Sequence, residues 1–217
     1  MHLLIKLLIV PLFLGAAYAA EENQNASEAL GRLIGKQVRE LGLKIDTKQL
    51  VKGLGEPLSE EEEAACLAQI DRLFEEAQEA RAKQNRKEAE CFLARNKKQP
   101  EICELVPGKL QYKDLKIHDG ATLQSYNYPL IRYTLKTEDG KILSANIEEH
   151  IALDSIIEGL QKGLQGMKAG SCRQIFIHPD LGYGAKDPVY GGLLIYEVEL
   201  LSCDLPRNRP ISENSLQ

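Results

Sequence analysis

The sequence predicts an α+β protein: a helical amino-terminal region with one long connecting helix, then a bent antiparallel sheet wrapped on a short helix. Three observations point there. Apolar residues recur three and four apart through the first hundred residues, as on amphipathic helices. Beyond residue 110 they alternate in short runs bounded by Asp119-Gly120 and Asp139-Gly140, as on strands joined by turns. Between Ser155 and Pro179 the two periods meet: Ile156, Ile157, Leu160, Leu164 and Met167 keep helical spacing, Gly170 breaks it, and Ile175 and Ile177 alternate.

A chain of 217 residues suffices for a compact domain with an appendage. Its 43% hydrophobic and 27% charged content fits neither a disordered chain nor a multi-pass membrane protein. The net charge of -5, without zinc-finger spacing or an arginine-rich arm, argues against nucleic acid as a partner. Leu3 to Ala17 is apolar apart from Lys6 and ends in Ala17-Tyr18-Ala19 before Glu21-Glu22. A basic start, an apolar run too short for a span of ~20 residues and an A-x-A site predict a signal peptide over residues 1–19. No cysteine follows directly, so a lipoprotein is not indicated. The mature protein is expected to be periplasmic or secreted, with no membrane span after signal cleavage.

Within residues 20–58 two short helices are expected. Ser27 is positioned to cap the first, whose stripe is Leu30, Leu33, Ile34, Val38 and Leu41 and which Gly42 stops. Gly31 and Gly35, one turn apart, predict a close approach by another backbone. Asp46 caps the second, with Leu50, Val51 and Leu54; neither helix can bury its stripe alone. Ser59-Glu60-Glu61-Glu62 is a capping box that opens a helix running to about Lys98, roughly 60 Å long and filling most of residues 59–104. Leu67, Ile70, Leu73 and Phe74 give it a face near its start, and Cys91, Phe92 and Leu93 another near its end. Gln78 to Glu90 offers only alanines among polar groups, so the middle reads as a solvated rod. A compact four-helix core is the alternative.

Residues 105–205 read as the sheet domain, with Leu105 to Lys109 as a linker and residues 206–217 as a disordered tail. Strands are expected over Leu110–Ile117, Leu130–Thr137, Lys141–Ser144 and Leu193–Leu201, with a further edge at Ile151–Leu153. On the last, Leu194, Tyr196, Val198 and Leu200 face inward and Glu197 and Glu199 outward.

The run Ile156-Ile157-Glu158-Gly159-Leu160, then Met167-Lys168-Ala169-Gly170, a strand, and Ile177-His178-Pro179-Asp180-Leu181-Gly182-Tyr183-Gly184 resembles the signature of the FKBP-type peptidyl-prolyl cis-trans isomerases. Tyr133-Thr134, followed by Asp139-Gly140 and Leu143, resembles a second signature of that family. Two short helices and a long helix ahead of this domain resemble the macrophage infectivity potentiator branch. That resemblance implies a homodimer through the amino-terminal helices, with the long helix holding the catalytic domain away from it. It implies proline-containing polypeptides as substrates and no cofactor or metal.

The resemblance assigns the catalytic positions to Tyr133, Ile157, Tyr183 and Tyr196, and substrate contacts to Leu143, Ser144, Ile156 and Leu160. For each, plain core packing is the competing reading. Ile157 would offer its N–H to a substrate carbonyl, Tyr183 its hydroxyl to another, and Leu160 would floor the pocket. Several positions depart from the family pattern. Leu143-Ser144 replaces an aromatic followed by aspartate, which removes a charged acceptor; Leu160 replaces an aromatic floor; Glu158 replaces proline; Tyr196 replaces phenylalanine; and the loop from Lys186 to Gly192 is short. The expected function is an exported prolyl isomerase and folding helper of reduced activity, and the alternative is a weak or inactive dimeric chaperone on the same fold.

Five cysteines follow the signal, where disulfides persist. Five free thiols stand against two pairings: Cys91 with Cys103, where a helix end folds back, and Cys172 with Cys203, on strands that neighbour each other in the resembled fold. Cys66 would be left for an intermolecular bond.

Overall fold

The computed structural model describes residues 20–40 and 42–204, those of 20–25 by their backbone alone. The predicted signal peptide and tail lie outside these described residues. The chain divides into two units, one up to Glu60 and one from Glu61.

The first unit holds helices α1 (Ala20–Glu40) and α2 (Thr47–Leu54). Ser27 lies within α1 rather than capping it, because the helix is already formed at Ala20. Gly42 ends α1 at φ 71°, a left-handed conformation that glycine adopts without cost. Its N–H donates to the Arg39 carbonyl and that of Leu43 to the Val38 carbonyl, the double closure of a Schellman end. Asp46 caps α2 as expected, its carboxylate accepting from the Lys48 N–H at 2.8 Å. The apolar stripes stay open: Leu33 is 61% and Val51 68% exposed. Within this chain no atom lies within 4 Å of a Cβ built on Gly31, so the backbone approach predicted there is not made by this chain's own described residues.

The second unit begins in the first turn of α3 (Glu60–Asn96) and continues through β1 (Cys103–Val106), β2 (Leu110–Lys116), β3 (Leu130–Thr137), β4 (Ile142–His150), α4 (Glu158–Leu164), β5 (Cys172–Ile177) and β6 (Leu194–Ser202). One antiparallel sheet has the order β1-β2-β5-β6-β3-β4. The sheet therefore starts at Cys103, inside the segment expected to be helix end and linker. That strand was hidden because it is only four residues long and mostly exposed, with no alternation to read. The expected break after Ser144 is absent: β4 runs on to His150 through an irregularity where the register steps from Leu135↔Ser144 to Tyr133↔Ile147, and Asn146 there takes φ 51°. The edge expected at Ile151–Leu153 is instead a turn with both end residues buried.

The two faces of the sheet have different covers. Leu110, Ile131, Leu135, Ile175, Ile177, Leu194, Tyr196, Val198 and Leu200 pack with Leu160, Leu164 and Met167 of α4 and the turn after it, forming the larger core. The inward set predicted on β6 is borne out in full. Helix α4 lies so close to β5 that a Cβ on Gly159 would sit 2.3 Å from Ile177 Cγ2, and one on Gly163 2.6 Å from Ile175 Cγ2. Only glycine permits that approach at both positions. Arg173 closes the far end of α4, donating from Nη1 to the Gly163 and Gln165 carbonyls at 2.9 and 3.1 Å while Nε bonds Asp114. A cation there meets the negative end of the peptide dipoles.

The opposite face is covered by the last half of α3, which overturns the reading of that segment as a solvated rod. Ala82 and Ala89 are fully buried, and Ala89 and Leu93 pack with Phe176, Leu193 and Ile195. The Phe92 and Phe176 rings lie 5.8 Å apart. Asn85 donates to the Ala185 carbonyl at 2.9 Å, and buried Gln111 donates to the Leu93 carbonyl at 3.0 Å while accepting from Asn96 at 3.0 Å. Small side chains allow a helix to lie tightly on a sheet, so the alanines that looked like weak burial are the contact itself. Near the start of α3 the apolar face remains open, with Ile70 40% exposed.

All five cysteines are free. The expected Cys91–Cys103 bridge fails because the sheet separates the two: Cys103 pairs with Tyr112 on the α4 face, whereas α3 packs on the other. The expected Cys172–Cys203 bridge fails on register, since Cys172 stands opposite Glu199, four residues short of Cys203. Four residues of strand span about 13 Å, well beyond disulfide reach.

Candidate functional site

Strand β3, strand β6, the start of α4 and the loop after β5 converge at one end of the larger core. Leu135 on β3 stands opposite Tyr196 on β6, and Tyr133 lies two residues along on the same face, so that the Tyr133 and Tyr196 rings come within 5.6 Å. Tyr196 is 3% exposed and Leu160 5%. Tyr133, Leu143, Ile156, Ile157 and Tyr190 are half-buried against them. Ser144 is half-buried opposite Leu135. Tyr133, Leu143, Ile156, Ile157 and Tyr196 thus meet in one apolar patch, with Leu160 beneath it.

Ile157 is the residue before the first turn of α4, extended at φ -59° and ψ 143°, with its carbonyl accepting from the Gln161 N–H at 3.0 Å. Glu158 begins the helix, as its sequence position predicted. Tyr183 follows the short 3-10 turn Pro179–Leu181 and is 50% exposed, so its ring stands at the rim rather than in the core. Its ring lies 4.9 Å from that of Tyr190. The loop carrying Tyr190 is held by Asp187, whose carboxylate accepts from the Val189 and Tyr190 N–H groups at 2.8 and 2.6 Å.

The electrostatics follow from burial. The Tyr133 hydroxyl donates to Glu149 Oε1 at 3.1 Å. Burial, and then that carboxylate, push its pKa up to about 12. The Tyr196 hydroxyl is pushed higher still, by burial first and then by the nearby Tyr183. The Tyr133 and Tyr196 hydroxyls both stay protonated at neutral pH. They are donors in a largely apolar surround, with no nucleophile and no carboxylate pair among them. Among the described residues no group of three His, Cys, Asp or Glu side chains is arranged to hold a metal ion.

Two members of this site were missed in the sequence. Glu149 supplies the carboxylate that Ser144 was expected to remove: β4 continues past Asn146, and Glu149 pairs with Ile131 on the face that carries Tyr133. The irregularity broke the alternation that would have shown it. Tyr190 sits in a loop judged too short to flank the site, and nothing in a run of turn residues marks which ring folds back. A separate cavity of about 320 Å³ lies between α3 and the β3–β4 turn, lined by Asn85, Glu88, Thr137, Glu138, Gly192 and Leu193 among others, and includes none of the tyrosines.

Residues 120–201 match the model of the FKBP-type peptidyl-prolyl cis-trans isomerases, and residues 23–113 that of the domain amino-terminal to FKBP-type peptidyl-prolyl isomerase. A peptidyl-prolyl cis-trans isomerase Mip of Chlamydia trachomatis is 32% identical over 86% of this chain and 81% of its own length. An outer membrane protein MIP of Legionella longbeachae is 26% identical over 83% of this chain and 85% of its own. FkpA of Escherichia coli, at 21% identity, superimposes with a TM-score of 0.69 over 89% of this chain and all of that one, which concerns the fold alone. With both segments matched and Mip proteins related along most of its length, the chain belongs to the FKBP-type peptidyl-prolyl cis-trans isomerase family.

Proposed function

We propose that this chain is an exported, dimeric, Mip-like prolyl isomerase that helps envelope or secreted proteins to fold, and that its site is the patch around Tyr133, Ile157, Tyr183 and Tyr196. Rotation about an Xaa-Pro bond requires no bond to be made or broken. Its barrier of about 20 kcal/mol comes from amide resonance, which the twisted amide lacks. The twisted amide is also less dipolar, so an apolar seat with few fixed donors binds it better than the planar form, and that difference is the catalysis. Leu160, Ile156 and Leu143 give the seat for the proline ring. The Ile157 N–H and the Tyr183 hydroxyl hold the flanking carbonyls while the bond turns.

The observation that carries this reading is the placement of the half-exposed Tyr183 over a buried aromatic and aliphatic floor made by residues from four separate parts of the chain. Glu149, which replaces the expected acceptor for Tyr133, supports retained activity; Leu160 beneath the patch and the short loop after Ala185 support a reduced one. The export reading rests on residues 1–19 and on relatives named as Mip and as an outer membrane protein. The dimer rests on the open stripes of α1 and α2, which leave Leu33 and Val51 in water unless a second copy covers them.

The test is acceleration of cis-trans relaxation in a Leu-Pro tetrapeptide. The protein should accelerate it, and Tyr183→Phe should lower kcat/KM by roughly 3- to 10-fold, the worth of one hydrogen bond. No acceleration above buffer, with aggregation of an unfolded client suppressed, would replace the isomerase by a chaperone on the same fold. A monomer mass in solution would remove the dimer.

A further inference from the structure

The loop that carries Tyr183 and Tyr190 closes on itself at a narrow neck. The Gly184 N–H donates to the Pro179 carbonyl at 3.0 Å and the Asp187 N–H to the Gly184 carbonyl at 3.1 Å, so the chain turns twice within a few residues. Across the neck, a Cβ on Gly191 would sit 2.8 Å from the Ala185 carbonyl oxygen and 3.0 Å from Asn85 Nδ2, and closer still to the Asp187 carbonyl. Glycine lets the two sides come together there. Both rim rings stand beside this neck, Tyr183 two residues before Ala185 and Tyr190 one before Gly191, with their centres 4.9 Å apart.

The neck is fastened from outside the loop. Asn85 of α3, 100 residues earlier in the chain, donates from Nδ2 to the Ala185 carbonyl at 2.9 Å. Asn85 lies on the stripe of α3 that carries Ala82 and Ala89, three and four residues away and both fully buried. A polar side chain on a stripe pressed against the sheet loses water and needs a bond in return. Here the return is to the loop. Two other ties join α3 to the same segment, Arg86 Nε to Asp180 Oδ1 at 3.1 Å and Glu79 to Lys186, but both lie at the surface, where water screens an ion pair.

We propose that Asn85 is a positioning residue of the isomerase site: its bond to the Ala185 carbonyl fixes the neck of the loop and so holds the Tyr183 ring at the rim of the apolar patch. Helix α3 thereby serves the site as well as the fold, through a side chain that touches no substrate. Without the bond, the loop keeps its inner turns and the Asp187 contacts to the Val189 and Tyr190 N–H groups, and loses its fixed place against the helix.

This inference rests on the isomerase reading, and its test separates the two. Asn85→Leu removes the donor at similar volume, and Asn85→Asp keeps the shape while presenting a carboxylate to the carbonyl; either variant that folds is compared with the unaltered protein. Hydrogen exchange across residues 183–192 should quicken about 3- to 10-fold, the worth of one hydrogen bond, while exchange in β5 stays unchanged. Isomerisation of a Leu-Pro tetrapeptide should lose a similar factor in kcat/KM. The Tyr183 hydroxyl grips a flanking carbonyl in the planar and the twisted forms alike, so the loss should fall on KM, with kcat within about 2-fold. In a Tyr183→Phe background the same substitution should have little further effect on KM. Lys87→Ala, on the exposed side of α3, is the control and should leave exchange and activity as they are. Unchanged exchange in the loop, a loss in kcat alone, or an equal rise in KM with Tyr183 already altered would overturn the proposal. An unaltered protein that accelerates nothing would end the isomerase reading, while loop exchange would still decide whether Asn85 holds the neck.

Discussion

Replacing Leu93 by alanine separates a helix docked on the sheet from a rod standing in water. Leu93 is 1% exposed and packs with Ala89, Phe176, Leu193 and Ile195, while Phe92 and Ile102 flank the cluster. The change removes three carbons from this contact, worth about 2.4 kcal/mol at ~0.8 per methylene. Two of the other walls, Phe176 and Ile195, are strand residues held opposite each other by backbone pairing of β5 and β6, so the space closes only in part and a cavity cost adds to the loss. Alanine is slightly the better helix former, which returns a few tenths of a kcal/mol. The Leu93 carbonyl keeps its bond from Gln111, since that bond is made by the main chain. The net expected loss is about 3 kcal/mol, or roughly 6 to 12 °C in Tm for a unit of this size. The assay is a urea titration followed by near-ultraviolet circular dichroism, which reads tyrosines because the chain contains no tryptophan. Lys87→Ala on the exposed side of the same helix is the control, expected within about 0.5 kcal/mol of the unaltered protein. A Leu93→Ala loss no larger than that of the control would refute the docked helix.

Two further outcomes follow from the same packing. Gly159→Ala should destabilise by about 1 to 3 kcal/mol in the same titration despite the better helix propensity of alanine, because the new methyl meets Ile177 and the Leu181 carbonyl; a gain in stability would mean that α4 stands further from β5. His178 is 2% exposed, its Nδ1 accepts from the Asp180 N–H at 3.2 Å, and its Nε2 has no partner among the described residues. Burial lowers its pKa, against the attraction of Asp180 and Glu90 and with help from Lys109 and Arg86. A folded pKa below the unfolded value of about 6.5 means that the unfolded chain binds the proton more readily. This contribution to stability is therefore complete above about pH 6.5 and declines as pH falls through and below it. His178→Asn, which keeps an acceptor for the Asp180 N–H, should flatten stability between pH 7 and 5, and an unchanged slope would exclude His178 as its source.

The sequence alone determined the periodic parts. The strands at Leu110, Leu130 and Leu194, the caps at Gly42 and Asp46, the long helix from Glu60, and the helix and strand around Gly170 were all legible, because each depends on residues within one or two turns of itself. The motifs from Ile156 to Gly184 also named the residues that the fold brings together. Tertiary structure decided what depends on partners distant in sequence. Ala82 and Ala89 read as a weakly apolar face, yet both are fully buried and Ala89 packs with Phe176 and Leu193; small residues show their value only where another surface comes close. Glu149 read as one more charge on a polar run until the irregularity at Asn146 turned it to the side of Tyr133. The cysteine pairings failed for the same reason in reverse: adjacency of elements can be anticipated from a resemblance, but register and face are set by the packing of the whole sheet, and a shift of a few residues is enough to keep two thiols apart.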